Sequence, residues 1–304
     1  MKKILLMIFS LVFVLFISAC QQTTTKPSGP YLGGTSGVSV DFVNTAPPTQ
    51  FNQGEAVPLK VLLKNQGEED LVAGNAQVRI YGVKVENFGL NNDYKAISGN
   101  LRGKSSLAQG GEQRIDFGTA KYTLDVVNSQ DFTLRARLCY PYTTRGTIDI
   151  CVKSGVAEEA GQGVCSVLGE KVVKGSISSG PIQITSLKED TRGSDEVRFD
   201  ITIENKGLGE VFTPQMKCQD YEDDTFRLAH KDTVGVKINN PLGIKCAFLN
   251  GQESNEGEVQ LGSTGNVVLS CWMTTQQTYE DKLDLALSYY YFDKAEKKVT
   301  IFQR

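Results

Sequence analysis

The chain has 304 residues, with 32 Lys and Arg against 35 Asp and Glu, for a formal net charge of −3. At 40% hydrophobic and 22% charged, its composition is that of a folded protein and excludes wholesale disorder. The near-neutral balance argues against a nucleic-acid partner, which needs clustered cations, and a single histidine excludes a multi-histidine metal centre.

The chain opens with Lys2 and Lys3, followed by an apolar run over residues 4–19 broken only by Ser10 and Ser18. That run suits a signal peptide and falls slightly short of the roughly 20 residues a spanning helix needs. It ends in Ile17, Ser18, Ala19 and Cys20, and then turns polar. Small residues ahead of a cysteine resemble the bacterial lipobox, a signal also used by some archaea. The resemblance implies cleavage before Cys20, diacylglycerol on its sulfur and a lipid-anchored mature chain. An uncleaved anchor and plain secretion are the alternatives, and all three export the rest of the protein. Residues 20–36, rich in Thr, Pro, Ser and Gly, read as a flexible tether.

Short alternating runs begin at Val38, Val40 and Phe42. A longer one follows, with Val57, Leu59, Val61 and Leu63 on one face, closed by Asn65, Gln66 and Gly67. Apolar residues at every second position predict a strand with one buried face. The first half ends in a run over residues 132–142 and another over 147–152, expected to form a hairpin. A glycine-rich stretch over residues 156–180 follows.

The pattern then recurs. Ile182 and Ile184 stand for the first short strand. Val197, Phe199, Ile201 and Ile203, closed by Asn205, Lys206 and Gly207, overlie the long one without a gap. Runs over residues 283–291 and 298–302 stand for the closing hairpin, and Leu287, Tyr289 and Tyr291 match Leu138, Tyr140 and Tyr142. Because Asn and Gly tolerate positive φ, both long strands are expected to end in a turn of that kind. Matching starts, middles and ends point to duplication of a whole unit.

Many short strands with turn residues between them predict an all-β protein of antiparallel sandwiches. The expected layout is a signal peptide (1–19), a tether (20–36), a first sandwich (37–155), a linker (156–180) and a second sandwich (181–304). The strand, Asn-x-Gly, strand pattern after an acidic entry resembles immunoglobulin-like sandwiches of the CARDB kind, found on bacterial and archaeal surfaces. The stretch from Cys139, Tyr140, Pro141 and Tyr142 to Cys151 is similar to paired-sandwich envelope proteins of some archaea. These resemblances imply two tandem immunoglobulin-like domains and imply no reaction.

With Cys20 given to lipid, Cys139, Cys151, Cys165, Cys218, Cys246 and Cys271 remain, an even number that in an exported chain favours disulfides. Expected pairs are Cys139 with Cys151 across the first hairpin, Cys246 with Cys271, and Cys165 with Cys218. No Cys-x-x-Cys spacing supports a metal site.

Candidate sites are few. His230 lacks a nucleophile frame around it and reads as an exposed loop residue. The acidic run over residues 220–224 lacks the oxygen spacing of a calcium loop and reads as solvated. Trp272, Tyr290 and Phe292 are candidate binding aromatics, since sheet-borne rings stack on sugars and mark protein interfaces. The resulting expectation is a non-catalytic, lipid-anchored envelope protein with a structural, adhesive or protein-binding role. It would have no cofactor, and its partners would be the membrane and an envelope protein or glycan. The alternative is a carbohydrate-binding module.

Overall fold

The computed structural model describes residues 29–91, 93–153, 165–193, 195–249 and 251–304. Cys20 and the signal and tether residues up to 28 lie outside them, as do residues 154–164, which include the start of the expected linker. Among the described residues no helix is long and apolar enough to cross a membrane.

The protein is all-β, with several antiparallel sheets. In the first half the strands are β1 (Val38–Phe42), β2 (Gln50–Asn52), β3 (Val57–Asn65), β4 (Gln77–Tyr81), β5 (Lys95–Ala96), β6 (Glu112–Ala120) and β7 (Ser129–Val152). In the second half β8 (Ile182–Arg192), β9 (Glu196–Asn205) and β10 (Glu210–Phe212) precede a short helix, α1 (Asp224–His230). Then come β11 (Thr233–Asn240), β12 (Lys245–Ala247), β13 (Glu253–Ser254), β14 (Glu256–Gln260), β15 (Asn266–Thr274) and β16 (Tyr279–Phe302).

One sheet joins β1, β3 and β6, and another runs β13-β12-β15-β9-β8. The largest runs β14-β11-β16-β7-β4-β5, with β10 and β2 also pairing with β16. β3 and β9 bury Val57, Leu59, Val61 and Leu63, and Val197, Phe199, Ile201 and Ile203, as their alternation requires.

The two closing hairpins expected from the sequence do not form. β7 and β16 are each one strand of 24 residues. They pair antiparallel along their whole length, from Tyr279 opposite Val152 to Phe302 opposite Ser129. The segment read as a turn, Thr143 to Gly146, stays extended because two threonines favour strand geometry and each residue has a partner on β16. Gly146 fits without a side chain, since a Cβ there would lie 3.0 Å from Ile177, Ile184 and Leu285. On β16 the polar stretch Asp293–Lys297 keeps the alternation, and its Glu296 binds Arg135 at 2.8 Å across the ladder.

The two halves therefore share a sheet. The second half pairs with β16 through β11, and β2 of the first half pairs with the other end of that strand. One contiguous apolar core takes in Val38 through Ile301 from both halves. Part of the expected linker is bound in as well: Thr147 N donates to Ser176 O, and Ser178 N to Arg145 O, both at 2.8 Å.

Candidate functional site

The duplication is sharpest at the waist. Tyr140 lies opposite Tyr291, Tyr142 opposite Tyr289, and between them Pro141 opposite Tyr290. Pro141 and Tyr290 are also equivalents under the repeat, so the register places a local two-fold relation at that pair.

Tyr142 and Tyr291, equivalents under the repeat, each close an Asn-x-Gly turn. The Tyr142 hydroxyl accepts from Glu69 N at 3.3 Å and donates to Ser179 O at 2.8 Å. The Tyr291 hydroxyl accepts from Gly209 N at 2.8 Å and donates to Asn205 Oδ1 at 3.3 Å. Asn65 Nδ2 donates to Glu69 O at 2.7 Å, and Asn205 Nδ2 to Gly209 O at 3.0 Å. Gly67 N and Gly207 N each donate to the Oδ1 of their asparagine at 3.1 Å. Tyr140 and Tyr289 serve the strand starts: Val38 N donates to the Tyr140 hydroxyl at 3.1 Å and Ile182 N to that of Tyr289 at 3.4 Å.

The two turn glycines do not fill the role expected of them. Neither takes a positive φ. A Cβ at Gly67 would collide with the Tyr142 hydroxyl, and one at Gly207 with that of Tyr291. Glycine is required by close approach.

Burial pushes the Tyr291 phenol up to about 12 and raises Tyr140, Tyr142 and Tyr289 as well. These groups stay protonated at neutral pH, which suits fixed donors and acceptors rather than acid–base chemistry.

A second cluster lies on the other face of the large sheet. Cys139, Phe212, Met216, Cys218 and Phe292 form a small buried core beneath residues 213–232, which lead from β10 through α1 to β11. The Tyr221 ring stacks on Phe292 with centroids 4.6 Å apart. Glu222 Oε1 receives Arg79 at 2.5 Å, Arg137 at 2.8 Å and the Tyr94 hydroxyl at 3.1 Å. The Arg137 guanidinium lies 4.0 Å from the Tyr221 ring centroid and 4.4 Å from that of Tyr81. An excursion of the second half is thus clamped onto β4 and β7 of the first.

The acidic run is solvated, with Glu222, Asp223 and Asp224 exposed, but its carboxylates also hold local structure. Asp220 accepts from Lys217 N, Asp223 caps α1 through Thr225 N and Phe226 N, and Asp224 pairs with Arg227. With Glu222 in the clamp, each carboxylate of this exposed run has a structural partner. His230 ends α1, its ring 4.2 Å from that of Phe226 and its carbonyl accepting from Thr213 N.

The disulfides are Cys139–Cys218, Cys151–Cys165 and Cys246–Cys271. The last matches expectation: the two residues sit opposite each other on β12 and β15. The other two expected pairs, Cys139 with Cys151 and Cys165 with Cys218, are wrong. Cys139 and Cys151 lie on one continuous strand, about 40 Å apart at about 3.3 Å per residue. Each finds a partner beside it instead. Cys139–Cys218 ties the first half to the excursion of the second.

The candidate aromatics do not form one exposed strip. Phe292 is 3% exposed, and Tyr290 is half-buried against the same small core. Trp272, partly exposed on β15, faces away from the buried Cys271 and stands between Lys245 and Arg198 on the neighbouring strands.

A third region is a cavity of about 470 Å³ at the edge of β7, next to the first described residues. Its floor is acidic but satisfied. Glu68 accepts three backbone N–H groups, from Leu32, Gly33 and Ser179. Glu69 takes Arg145 through both oxygens at 3.1 and 3.3 Å, although burial outweighs that cation and raises its carboxyl. Lys104, Ser105 and Ser106 form the opposite wall. Among the described residues no group of three or more His, Cys, Asp or Glu is placed to hold a metal ion.

Sequence reasoning missed the Glu222 clamp. Its signals were present separately, as Arg79 and Arg137 on two alternating runs and as an acidic, aromatic run beside Cys218, but only the fold joins them. No model of a known protein family matches the chain, and no curated protein matches it.

Proposed function

We propose that this is an extracytoplasmic protein of the cell envelope, held to the membrane by lipid on Cys20, with a structural, adhesive or protein-binding role and no catalysis. The observation that carries the reading is the set of three disulfides downstream of a signal-like start. They fit an oxidising compartment and hint at export. The polar networks at the waist and the clamp are spent on backbone, strand and loop contacts, which suits a stiff display scaffold. The duplicated turn chemistry supports two immunoglobulin-like units of the CARDB kind, fused through β7 and β16.

The test is the intact mass of the chain made with its own N-terminus in a host that processes lipoproteins. A mature chain starting at acylated Cys20 is expected, and a Cys20→Ala variant should lose membrane attachment. Retention of Met1, or an unmodified Cys20, overturns the anchor. Cross-linking in the native envelope should then capture a protein neighbour. The carbohydrate alternative narrows to Trp272: glycan binding abolished by Trp272→Ala in a folded protein would replace the leading role.

A further inference from the structure

The position at which the described chain begins limits how the molecule can stand on a membrane. Gly29 abuts Gly175 and Ser176 so closely that a Cβ would strike their backbone, and Tyr31 N donates to Gly175 O at 3.0 Å. Ser176 in turn accepts from Thr147 N on β7. The chain therefore enters at the lateral edge of the long strand, at the level of Thr147. From there to Ser129, at the far end of β7, is 18 residues, or about 60 Å. From Cys20 to Gly29 is nine residues, which reach about 30 Å at full extension. Anchored at Cys20, the protein cannot stand on the outer end of its first half, and the entry point lies within about 30 Å of the bilayer.

That edge has the chemistry of an interfacial surface. Leu32 joins two adjoining cavities, one walled by Lys104 and Ser106 and the other by Val173 and Lys174. Leu32 and Val173 are exposed, and Leu107, beside Ser106, is 96% exposed. Lys104 and Lys174 are exposed cations among these leucine and valine side chains. Apolar side chains that enter the headgroup boundary, with cations at its rim, are the pattern by which a folded surface rests on anionic lipid.

Resting on the lipid-anchor reading above, we infer that the edge carrying Leu32, Leu107, Val173, Lys104 and Lys174 lies on the bilayer surface, and that the outer end of the first half projects away from it. The partner of this face is an anionic lipid surface.

The experiment uses the full-length acylated chain in vesicles of mixed phosphatidylcholine and phosphatidylglycerol containing brominated lipid. Trp272→Phe removes the native tryptophan. Leu107→Trp then reports the edge and Val127→Trp the far end, beside the start of β7. Quenching several-fold stronger at position 107 than at 127 is expected, and Lys104→Glu with Lys174→Glu should weaken it while leaving the protein attached. Equal quenching, or stronger quenching at 127, overturns the inference while the anchor stands. A chain whose mass shows no acyl group overturns the anchor reading, and this inference with it.

Discussion

The two halves of the molecule agree where strands turn and differ where they are held together. Asn65, Gly67 and Tyr142 repeat as Asn205, Gly207 and Tyr291 in the asparagine-to-backbone bonds and in the backbone N–H that each tyrosine hydroxyl accepts, while the acceptors of the two hydroxyls differ, Ser179 O against Asn205 Oδ1. By contrast, residues 213–232 belong to the second half alone, and they carry the Cys139–Cys218 bond and the Glu222 clamp. The β7–β16 ladder and the contiguous apolar core join the two halves. The asymmetric excursion adds a further tie on the other face of the large sheet. The repeated pattern builds the core, and the excursion, which has no counterpart in the first half, adds the covalent and ionic ties.

The strongest way to break this comparison is to cut the asymmetric staple. Replacing Cys139 and Cys218 by serine opens a link of sequence separation 79, whereas Cys246–Cys271 spans 25. In the chain-entropy account the longer loop stabilises more, and its loss should cost about 2–4 kcal/mol. The urea midpoint should fall further for the Cys139/Cys218 double variant than for the Cys246/Cys271 one. The reverse order would mean that the excursion contributes little to holding the halves together.

The symmetric part is tested by matched substitutions. Tyr142→Phe leaves Glu69 N and Ser179 O without their partner, and Tyr291→Phe leaves Gly209 N. Each should cost about 1–3 kcal/mol, the usual range for a buried group left unsatisfied. The first should cost somewhat more, because that hydroxyl also holds the segment leading into β8. If only one of the two destabilises the protein, the waist is not energetically duplicated, whatever its geometry.

The repeat was legible in the sequence because period-two burial and a fixed turn motif are local. Val57–Leu63 and Val197–Ile203 announce their faces without help from the fold. The continuity of β7 and β16 was not legible. Thr143–Gly146 and Asp293–Lys297 look like breaks until each is seen to be the other strand's pairing neighbourhood. The disulfide error followed directly, since placing Cys139 and Cys151 on two strands instead of one made a long distance look short. Phe292 reads as an exposed aromatic for a related reason: alternation says which face it is on, but not that residues 213–232 return to cover that face.

A smaller effect should come from Glu222→Gln. It keeps a hydrogen-bond acceptor but removes the charge facing Arg79 and Arg137, both 15% exposed. Because Glu222 itself is 43% exposed, solvent screening limits the loss to about 1 kcal/mol. A double-mutant cycle with Arg137→Met should show coupling of that order. Coupling indistinguishable from zero would leave the disulfide as the main tie between the excursion and the first half.

The halves differ once more where β8, at 11 residues, outruns its counterpart β1, at five. The extra length carries Glu189, whose side chain is fully buried. Its Oε1 accepts from Cys151 N at 2.9 Å, and its Oε2 lies 3.0 Å from Lys171 Nζ. Burial outweighs these partners and raises the carboxyl above 4.5. A carboxyl raised by folding binds its proton more tightly in the native state than in the unfolded one. Its contribution is therefore fully present below the unfolded value and is lost as pH rises through the folded one. Stability should show a decline from about pH 4.5 upward that Glu189→Gln flattens. Lys171→Met, by removing the cation paired with it, should raise the carboxyl further and carry the decline to higher pH. Urea midpoints at several pH values in that window would show it. Parallel profiles for wild type and Glu189→Gln would mean that the longer strand of the second half brings no titrating group into the fold.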